Sequence, residues 1–328
     1  MIGCYLGVDV GSVSTNVVIM GEDQGVLAKV YVKTQGRPIE AVQRGLLEAR
    51  KMLQAEPQIL GVGTTGSGRH LAAKILGADI IKNEITAHGI AALSCVPEVR
   101  TIFEIGGQDS KIIFLRDGII QDFSMNTVCA AGTGSFLDRQ AARLGIEIGE
   151  FGRLALKGRS GVRIAGRCAV FAESDMIHKQ QLGHNQEDLI KGLCDALVRN
   201  FLNNLAKGKE VSGPVVFQGG VAANIGIKRS FEEALGQEMI IPEHHGVMGA
   251  IGCCLLAKEQ AHRDKGMKTA FKGFNLVEAT YQVTGFECHD CTNGCEVIDI
   301  QAEGTSIARW GDKCGKWGNI KEKTMESA

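Results

Sequence analysis

Hydrophobic positions in the first part of the chain follow two different periods. Residues 3–9, Ser14–Met20 and Gly25–Val32 are short apolar runs separated by turns, which predicts three strands of an antiparallel meander. Pro38–Leu53 places its apolar residues at helical spacing and begins with a proline, so it predicts a helix. Ile59–Thr65 is again a short apolar run, and it predicts a strand that ends in a glycine turn.

The same order of elements recurs further along the chain. Thr101–Ile105, Lys111–Leu115 and Ile119–Phe123 predict strands, and Asp117-Gly118 predicts a tight hairpin turn between the last two. Val215–Gln218 predicts one more strand. The helical patterns cover Ile85–Leu93, Gly132–Leu144, Asp188–Lys207, Gly226–Leu235 and Gly249–Ala261. Three strands, a helix and another strand thus occur twice, which predicts a duplicated α/β unit with a ligand between its halves.

Composition narrows the class of protein. The 328 residues suffice for about two domains, and 44% hydrophobic with 22% charged residues predicts a packed core. A net charge of −1 offers no basic field to nucleic acid or to an anionic membrane. No apolar run is long enough to span a bilayer, and the first nine residues do not resemble a signal peptide. We therefore expect a cytoplasmic protein whose 11 cysteines are core residues, metal ligands or redox groups, not disulfides.

Three turns rich in glycine follow predicted strands. They are Asp9–Thr15, Glu104–Asp109 and Phe217–Asn224. Backbone N–H groups and hydroxyls of the first turn can surround phosphates, and Asp9 can hold Mg²⁺ through water. In the second turn, Gln108 is placed to orient an attacking water and Asp109 to share the metal. The chain lacks Gly-x-x-x-x-Gly-Lys-Ser/Thr, and no Gly-x-Gly-x-x-Gly opens a helix after its first strand, which argues against P-loop and dinucleotide-binding folds.

Two cysteines lie beside further glycine-rich segments. Cys129 belongs to Asn126–Ser135 and Cys168 to Ala165–Glu173. Two thiolates are half of the ligand set of a four-cysteine iron–sulfur cluster, and a dimer would supply the other half. The 39-residue interval is no metal motif, so spacing alone leaves open that both are buried free cysteines. We expect the latter state for Cys95, Cys194, Cys253 and Cys254.

These segments together resemble a known family. The turns at Asp9–Thr15, Gly106–Asp109 and Gly219–Ala222 resemble the phosphate-1, phosphate-2 and adenosine elements of the actin/sugar kinase/Hsp70 superfamily. Gly63–Gly68, Asn83–His88 and the two cysteine segments narrow the resemblance to ATPase activators of 2-hydroxyacyl-CoA dehydratases and ATPase subunits of benzoyl-CoA reductases, over about residues 3–260. The nucleotide contacts that we predict are Gly11, Ser12, Ser14, Thr15, Gly106, Gly107, Gly219, Gly220, Val221 and Ala222.

The resemblance implies a redox function. In this family a homodimer shares one [4Fe–4S] cluster, which here would be held by Cys129 and Cys168 of each subunit. ATP with Mg²⁺ drives transfer of one electron at low potential to a partner iron–sulfur enzyme, either a dehydratase or a double-cubane-cluster protein. A ferredoxin or flavodoxin is the implied electron donor. The implied fold is a pair of ribonuclease H-like, actin-like ATPase domains at 1–100 and 101–246, with a helix at about 247–262 packing back on the first.

The segment 265–328 is a cysteine-rich extension that the compact members of this family lack. Cys288, Cys291, Cys295 and Cys314 follow the spacing Cys-x₂-Cys-x₃-Cys-x₁₈-Cys, which suits a tetrahedral site. Glu296–Ile300 and Thr305–Trp310 predict a two-stranded hairpin that carries it. Zn²⁺ is our first choice of metal and a second iron–sulfur cluster the alternative. A reduced, metal-free hairpin is the third possibility, and His289 is expected to be exposed.

Two other classes of function compete with the electron donor. One is a small-molecule kinase of the same superfamily, which would use an acidic general base and would not need paired cysteines in loops. The other is a nucleotide-gated regulatory or chaperone-like module without redox chemistry. Iron content separates both of them from the first hypothesis.

Overall fold

A five-stranded sheet forms the first half of the protein in the computed structural model, which describes residues 1–159, 162–264, 268–275, 279–302 and 304–317. Its strands are β1 (Ile2–Val10), β2 (Ser14–Gly21), β3 (Val26–Lys33), β4 (Pro57–Thr65) and β5 (Ile80–Ile81). They lie in the order β3-β2-β1-β4-β5, with β1 antiparallel to β2 and parallel to β4. The predicted meander and the strand at Ile59–Thr65 are therefore confirmed.

A second sheet repeats this construction. Its strands are β6 (Thr101–Ile105), β7 (Ser110–Arg116), β8 (Ile119–Asn126), β9 (Val215–Gln218) and β10 (Met239–Ile240). The order β10-β9-β6-β7-β8 matches that of the first sheet strand for strand. Asp117 and Gly118, with φ of 52° and 75°, form the predicted turn, because a two-residue hairpin loop of this type needs both residues in the left-handed region. The duplicated α/β architecture is thus confirmed.

Nine α-helices connect and cover the two sheets in the described residues. They are α1 (Pro38–Met52), α2 (Arg69–Leu76), α3 (Glu84–Cys95), α4 (Gly134–Leu144), α5 (Ile148–Ala155), α6 (Ala169–Gln181), α7 (Gln186–Leu205), α8 (Ile225–Leu235) and α9 (Met248–Arg263). Asn83 caps the N-terminus of α3 and Asn224 that of α8, and each side chain accepts a hydrogen bond from the first turn of its helix. No described helix is long and apolar enough to cross a membrane.

Each sheet has its own hydrophobic core. Helix α1 covers one face of the first sheet, and α9 covers the other, where a Cβ on Gly7 would come within 1.9 Å of the Ala250 carbonyl oxygen. In the second core, Phe103, Phe201 and Phe231 pack with ring centroids 4.8–5.3 Å apart. Truncating a buried phenylalanine of this kind costs about 3–5 kcal/mol, so this aromatic cluster fixes helices α7 and α8 on the sheet.

The extension forms a sheet of three strands, not the predicted two. They are β11 (Tyr281–Glu287), β12 (Glu296–Ala302) and β13 (Thr305–Trp310), all antiparallel. The sequence did not indicate β11 because its side chains are largely exposed and a glycine interrupts it at residue 285. Ile300 and Ala308 of this sheet pack against Leu71 and Ile75 of α2, so the extension rests on the first half.

Three of the four cysteines that we expected to be buried are buried. Cys194, Cys253 and Cys254 are buried, as expected. Cys95 is exposed, which contradicts the prediction, and it is the last residue of α3, where the helix ends. Met176 and Met248 are core residues.

Candidate functional site

The three glycine-rich turns meet in one cavity. They follow β1, β6 and β9, whose ends lie together where the two sheets face each other. The cavity has a volume of about 250 Å³. The predicted residues that line it are Asp9, Gly11, Ser12, Ser14, Gly106, Gly107, Gln108, Asp109, Gly219 and Gly220. The structure therefore brings together residues that the sequence separates by about two hundred positions.

Two predicted nucleotide contacts lie behind the cavity wall instead. The Thr15 side chain is fully buried, and its Oγ1 lies 3.0 Å from Thr34 Oγ1. Because side chains alternate along β2, Ser14 and Asn16 face the cavity while Thr15 points to the other side of the sheet. Ala222 belongs to the core of the second half. Both residues support the turns from behind and do not line the cavity.

A buried lysine organises the acidic side of the cavity. Lys111 Nζ lies 2.8 Å from Glu104, 2.9 Å from Asp109 and 3.4 Å from Glu84. Burial alone disfavours the charged amine, but these carboxylates raise the pKa of Lys111 above its ordinary value. Burial raises the pKa of Glu104, and Lys111 offsets only part of that rise. One cation therefore holds three carboxylates in place.

Asp9 is the acidic residue without such a partner. No described residue forms a hydrogen bond or ion pair with its carboxylate, which lies between two glycines. A Cβ on Gly249 would come within 2.2 Å of Asp9 Oδ2, and one on Gly66 within 2.5 Å of Oδ1. Burial, and then the nearby charge of Glu84, raises the pKa of Asp9 to about 7. Four carboxylates against one amine leave an excess of negative charge that suits Mg²⁺ and its phosphate ligands.

Neutral polar groups complete the cavity. His88 is buried, and burial together with Lys111 lowers its pKa to about 4, so it is uncharged at neutral pH. Its Nδ1 lies 2.9 Å from Gln218 Nε2. Gln218 Oε1 and Asn16 Oδ1 are buried and have no hydrogen-bond partner in the described residues. Because buried polar atoms are normally paired, the unpaired Oδ1 of Asn16, which lines the cavity, fits a site that receives a hydrated ligand.

A second compartment of about 400 Å³ adjoins the first. The two share Gly106, Gly107 and Gly220 in their walls, and Val221 faces the second. Asn224 also lines it, and its Nδ2 is buried without a partner in the described residues. A phosphate-sized space followed by a larger, partly apolar one with a free amide donor matches the shape and polarity of a nucleotide.

The two cysteine segments lie side by side on the second half. Cys129 Sγ is 3.7 Å from the carbonyl oxygen of Arg167, the residue before Cys168. Both thiols are partly exposed. Around them, Val128, Val170 and Phe171 are 94%, 67% and 68% exposed. Such large apolar side chains grouped at the surface indicate a contact surface for another protein.

Helix α7 supports both cysteine segments. Asn200, which is buried, donates from Nδ2 to the carbonyl oxygen of Gly166, 2.6 Å away. A Cβ on Gly132, in the Cys129 segment, would come within 2.6 Å of Asn200 Oδ1. One side chain therefore contacts the segments that carry both thiols. Within the first segment, Asn126 accepts from the Cys129 N–H and donates to the Cys129 carbonyl oxygen.

The Cys129 segment is also hydrogen-bonded to the turn Glu104–Asp109, which we call the phosphate turn. The Gly134 N–H donates to the Gly106 carbonyl oxygen at 2.8 Å, and the Ser135 N–H donates to that of Gly107 at 2.9 Å. Ser135 Oγ donates to the same Gly107 oxygen at 2.5 Å. Helix α4 thus begins directly on the turn that lines both compartments. A shift of that turn would move the start of α4 and the adjacent cysteine.

The four tail cysteines lie at one end of the appended sheet. The Cys288 N–H donates to the Cys295 carbonyl oxygen at 2.8 Å, so these two close the loop that contains Cys291. Cys288 is buried, and its Sγ accepts from Trp317 Nε1 at 3.3 Å, which places the segment after Cys314 beside it. Among the described residues, no group of three or more His, Cys, Asp or Glu side chains is arranged to hold a metal ion. His289 is exposed, as predicted.

Among the residues that line the cavity, sequence reasoning assigned no role to the acidic and basic side chains of Glu84, His88, Glu104 and Lys111. Asn83–His88 and Glu104–Asp109 contributed to the family resemblance, but no role was inferred for their individual side chains. One signal in the sequence could have revealed them. Lys111 lies in an otherwise apolar strand, Lys111-Ile-Ile-Phe-Leu115, and a buried lysine predicts carboxylate partners nearby.

Two matching sheets with phosphate turns at their facing ends define an ATPase of the actin-like class. The chain belongs to the BadF/BadG/BcrA/BcrD ATPase family, whose model matches residues 6–257. It is 33% identical over 257 residues to the (R)-2-hydroxyglutaryl-CoA dehydratase activating ATPase of Acidaminococcus fermentans, covering 78% of this chain and 97% of that protein. It is 26% identical over 262 residues to a subunit of the benzoyl-CoA reductase of Thauera aromatica, covering 76% and 91%.

A solved structure agrees with these relatives. It is the activator of the 2-hydroxyisocaproyl-CoA dehydratase from Clostridium difficile with bound ADPNP, at a TM-score of 0.73 and 31% identity. The match covers 80% of this chain and 97% of that chain. The predicted family and its actin-like ATPase fold are therefore confirmed. The sheet β11–β13 lies beyond the residues that the family model matches.

Proposed function

We propose that this protein is a homodimer with one bridging [4Fe–4S] cluster, and that it couples ATP hydrolysis to reduction of a partner iron–sulfur enzyme by one electron. The observation that carries the proposal is the contact chain between nucleotide cavity and cysteines. Gly107 of the phosphate turn binds Ser135 at the start of α4, and Cys129 lies shortly before that helix. A nucleotide-dependent shift in the turn thus has a short mechanical route to the thiol.

The donor set fits the proposed cluster. Cys129 and Cys168 lie in adjacent segments, are partly exposed, and are surrounded by exposed apolar side chains. Two surface thiols per chain supply half of a four-thiolate set, so a second copy completes it and covers the apolar rim. When bound, the cluster would supply one-electron redox chemistry. The chain's own contribution is to hold the two segments against α7 through Asn200.

The nucleotide site fits Mg·ATP in the same way. We propose that Asp9 and Asp109 hold the hydrated Mg²⁺ and that Gln108 orients the attacking water. Gln108 is exposed at the cavity wall, where its amide is free to reorient. Lys111 holds the Asp109 carboxylate in position through an ion pair of 2.9 Å. The glycines of the three turns let their backbone approach the phosphates and the nucleoside.

The partner follows from the relatives. The proteins to which the chain is similar are named as activators of 2-hydroxyacyl-CoA dehydratases and as part of a benzoyl-CoA reductase. We propose that the partner is a 2-hydroxyacyl-CoA dehydratase or a double-cubane-cluster protein, and that a ferredoxin or flavodoxin supplies electrons.

Iron analysis with an electron paramagnetic resonance spectrum tests the proposal on protein purified without oxygen. We expect about four irons per dimer, lost when either Cys129 or Cys168 is changed to alanine. Cys95→Ala is the matched control, because Cys95 is also a free surface thiol but lies on α3 in the other half. Iron-free wild-type protein that transfers phosphate to a small molecule would instead establish the kinase alternative.

For the extension, we propose that Cys288, Cys291, Cys295 and Cys314 bind one metal ion, with Zn²⁺ preferred over a second cluster. The pairing of Cys288 with Cys295 and the return of Trp317 to Cys288 support this, because they bring both ends of the motif together. We expect the zinc content of the full chain to fall by about one ion per chain when Cys291 is changed to serine, or the iron content to fall if the site holds a cluster. Equal metal content in both proteins would contradict the proposal.

A further inference from the structure

A large cationic cleft opens beside the Cys168 segment. It has a volume of about 1690 Å³ and lies between Arg163–Arg167, helix α6 and the C-terminal half of α7. Residues at the end of α8, such as Leu235, also line it. Among the described residues, none that lines the cleft also lines either nucleotide compartment, so the cleft is a separate feature.

The charged residues of this cleft are mostly basic, although the whole chain has a net charge of −1. Within the described part of the chain, Asp175 is the only acidic residue that lines it, and its Oδ2 already accepts a hydrogen bond from the Ala165 N–H at 2.9 Å. The basic residues of the cleft are Arg163, Arg167, Lys179, Arg199, Lys207 and Lys209.

Most of these cations are not neutralised by the protein itself. Lys209 pairs with Asp122 at 2.7 Å, and Arg199 donates to the Ile164 carbonyl oxygen. The side chains of Arg163, Lys179 and Lys207 have no hydrogen-bond or ion-pair partner within the part of the chain that the structure describes, and the same holds for the Arg167 side chain. Several unpaired positive charges along one concave surface create a local field that attracts and orients an acidic partner.

We infer that this cleft is the docking surface for an acidic electron-carrier protein. The inference rests on the proposed function, since it assigns a partner to the same redox site. The cleft begins at Gly166 and Arg167, immediately before Cys168, so a protein bound there lies next to a proposed cluster ligand. Electron-transfer complexes are small, transient and steered by charge, which matches a concave surface whose charged side chains are mostly basic.

Two other occupants fit the cleft less well. A second copy would fit the cleft poorly if the two-fold axis passed through it, because the cations of one subunit would then face those of the other and repel them. The cleft also occurs once in each subunit, whereas a single large enzyme docked across the two-fold axis would meet the thiols of both. A small acidic protein bound once per subunit satisfies the charge and the location together.

The test is a titration of the anaerobically purified full-length protein with an acidic bacterial two-cluster ferredoxin. We expect the wild type to bind it and to lose affinity between about 50 and 300 mM salt, because the Debye length shortens over this range. The double variant Arg163→Glu/Lys207→Glu should raise Kd at least about tenfold at the lower salt concentration. Arg167 is left unchanged because it adjoins Cys168.

The matched control is Lys51→Glu/Lys74→Glu, which changes the net charge equally on exposed lysines of α1 and α2. Equal loss of affinity in both double variants, or no binding by the wild type, would overturn the inference. So would a shift of the Arg163→Glu/Lys207→Glu protein from dimer to monomer in sedimentation, because the cleft would then belong to the self-interface. Iron content and ATP hydrolysis are measured on the same samples, so failure of the proposed function is recognised separately.

Discussion

Ser135 Oγ donates a hydrogen bond to the Gly107 carbonyl oxygen, and this contact joins the nucleotide cavity to the cysteine surface, which carries Cys129 and Cys168. Gly107 lines both nucleotide compartments, while Ser135 lies in the first turn of α4, six residues after Cys129. The Ser135 N–H donates to the same oxygen. A carbonyl that accepts two bonds from one residue moves with that residue, so the turn and the helix start respond to nucleotide together.

Changing Ser135 to alanine should weaken this coupling. The variant loses one side-chain hydrogen bond, worth about 1 kcal/mol, but keeps the backbone bond to Gly107. We expect nucleotide affinity to change less than about threefold, whereas the effect of ADP or a non-hydrolysable ATP analogue on the alkylation rate of Cys129 should fall severalfold. The measurement is thiol alkylation followed by mass spectrometry on metal-free protein.

Ser174→Ala is the control for that experiment. Ser174 also carries a hydroxyl close to the cysteine surface, but it donates to the Val170 carbonyl oxygen of its own helix. Its removal should leave the nucleotide effect on Cys129 unchanged. If both serine variants keep the full nucleotide effect, the Ser135–Gly107 bond does not carry the coupling.

Replacing Asn200 by aspartate should reduce cluster occupancy. The acid retains an oxygen beside Gly132 but cannot donate to the Gly166 carbonyl oxygen when it is ionised. We expect a loss of about 1–3 kcal/mol in unfolding free energy and less than half of the wild-type iron. Urea denaturation of metal-free protein and iron analysis of the loaded protein check the two effects.

Asn203→Asp provides the comparison, since Asn203 lies three residues along α7 and is exposed. The same change of charge there should alter stability by less than about 0.5 kcal/mol and leave the iron content intact. Iron retention in the Asn200→Asp protein at the wild-type level would show that the two cysteine segments do not depend on this side chain.

The sequence predicted what depends on local pattern and missed what depends on distant packing. Asp9 and the glycine turns were predicted because strand-end turns carry their own signature. Glu104 and Lys111 were not, since their pairing depends on the register of β6 with β7, where they lie directly opposite each other. His88 joins the site only because α3 and α9 cross closely, at a point where a Cβ on Gly252 would come within 1.9 Å of the Ala87 carbonyl oxygen.

Alternation and exposure explain the other differences. Thr15 falls behind the cavity because neighbouring residues of a strand face opposite sides. Strand β11 escaped prediction because it buries little apolar surface, so the hydrophobic pattern that indicates strands is weak there. Both features depend on which face of an element meets the rest of the protein, and that is decided by tertiary contacts.

Lys111→Met should destabilise the protein strongly. The amine is 2% exposed and pairs with Glu104 at 2.8 Å and Asp109 at 2.9 Å. Its removal leaves an uncompensated buried carboxylate, which costs about 3–5 kcal/mol. The double variant Lys111→Met/Glu104→Gln should recover part of this loss, because it removes the carboxylate that is buried most deeply. Urea denaturation of the three proteins measures the difference.

A more exposed ion pair serves as the reference for Lys111. Lys228 and Glu232 lie 3.0 Å apart on α8, at positions i and i+4. Lys228→Met should cost no more than about 0.5 kcal/mol. A comparable loss in the Lys228 and Lys111 variants would mean that the buried charge cluster is not a special source of stability.

Asp9 should make the stability of the nucleotide-free protein depend on pH. Burial raises the pKa of Asp9 from 3.8 to about 7, so the folded state binds its proton more tightly than the unfolded state does. A raised pKa of this kind favours folding at low pH, and that advantage is lost as pH rises from about 4 to about 7. Asp9→Asn, which is neutral at every pH, should therefore unfold at a higher temperature than the wild type at pH 8 and at a similar one at pH 4.

With Mg·ATP bound, the wild type should have the higher melting temperature at pH 8. The metal requires the ionised carboxylate, so the wild type should bind Mg·ATP more tightly at pH 8 than at pH 6, and nucleotide should raise its melting temperature most at the higher pH. The Asp9→Asn protein should gain little from Mg·ATP at either pH, because it cannot offer the charge. Thermal unfolding with and without Mg·ATP at the two pH values measures both effects. If Mg·ATP raises the melting temperature of the two proteins equally, Asp9 does not hold the metal.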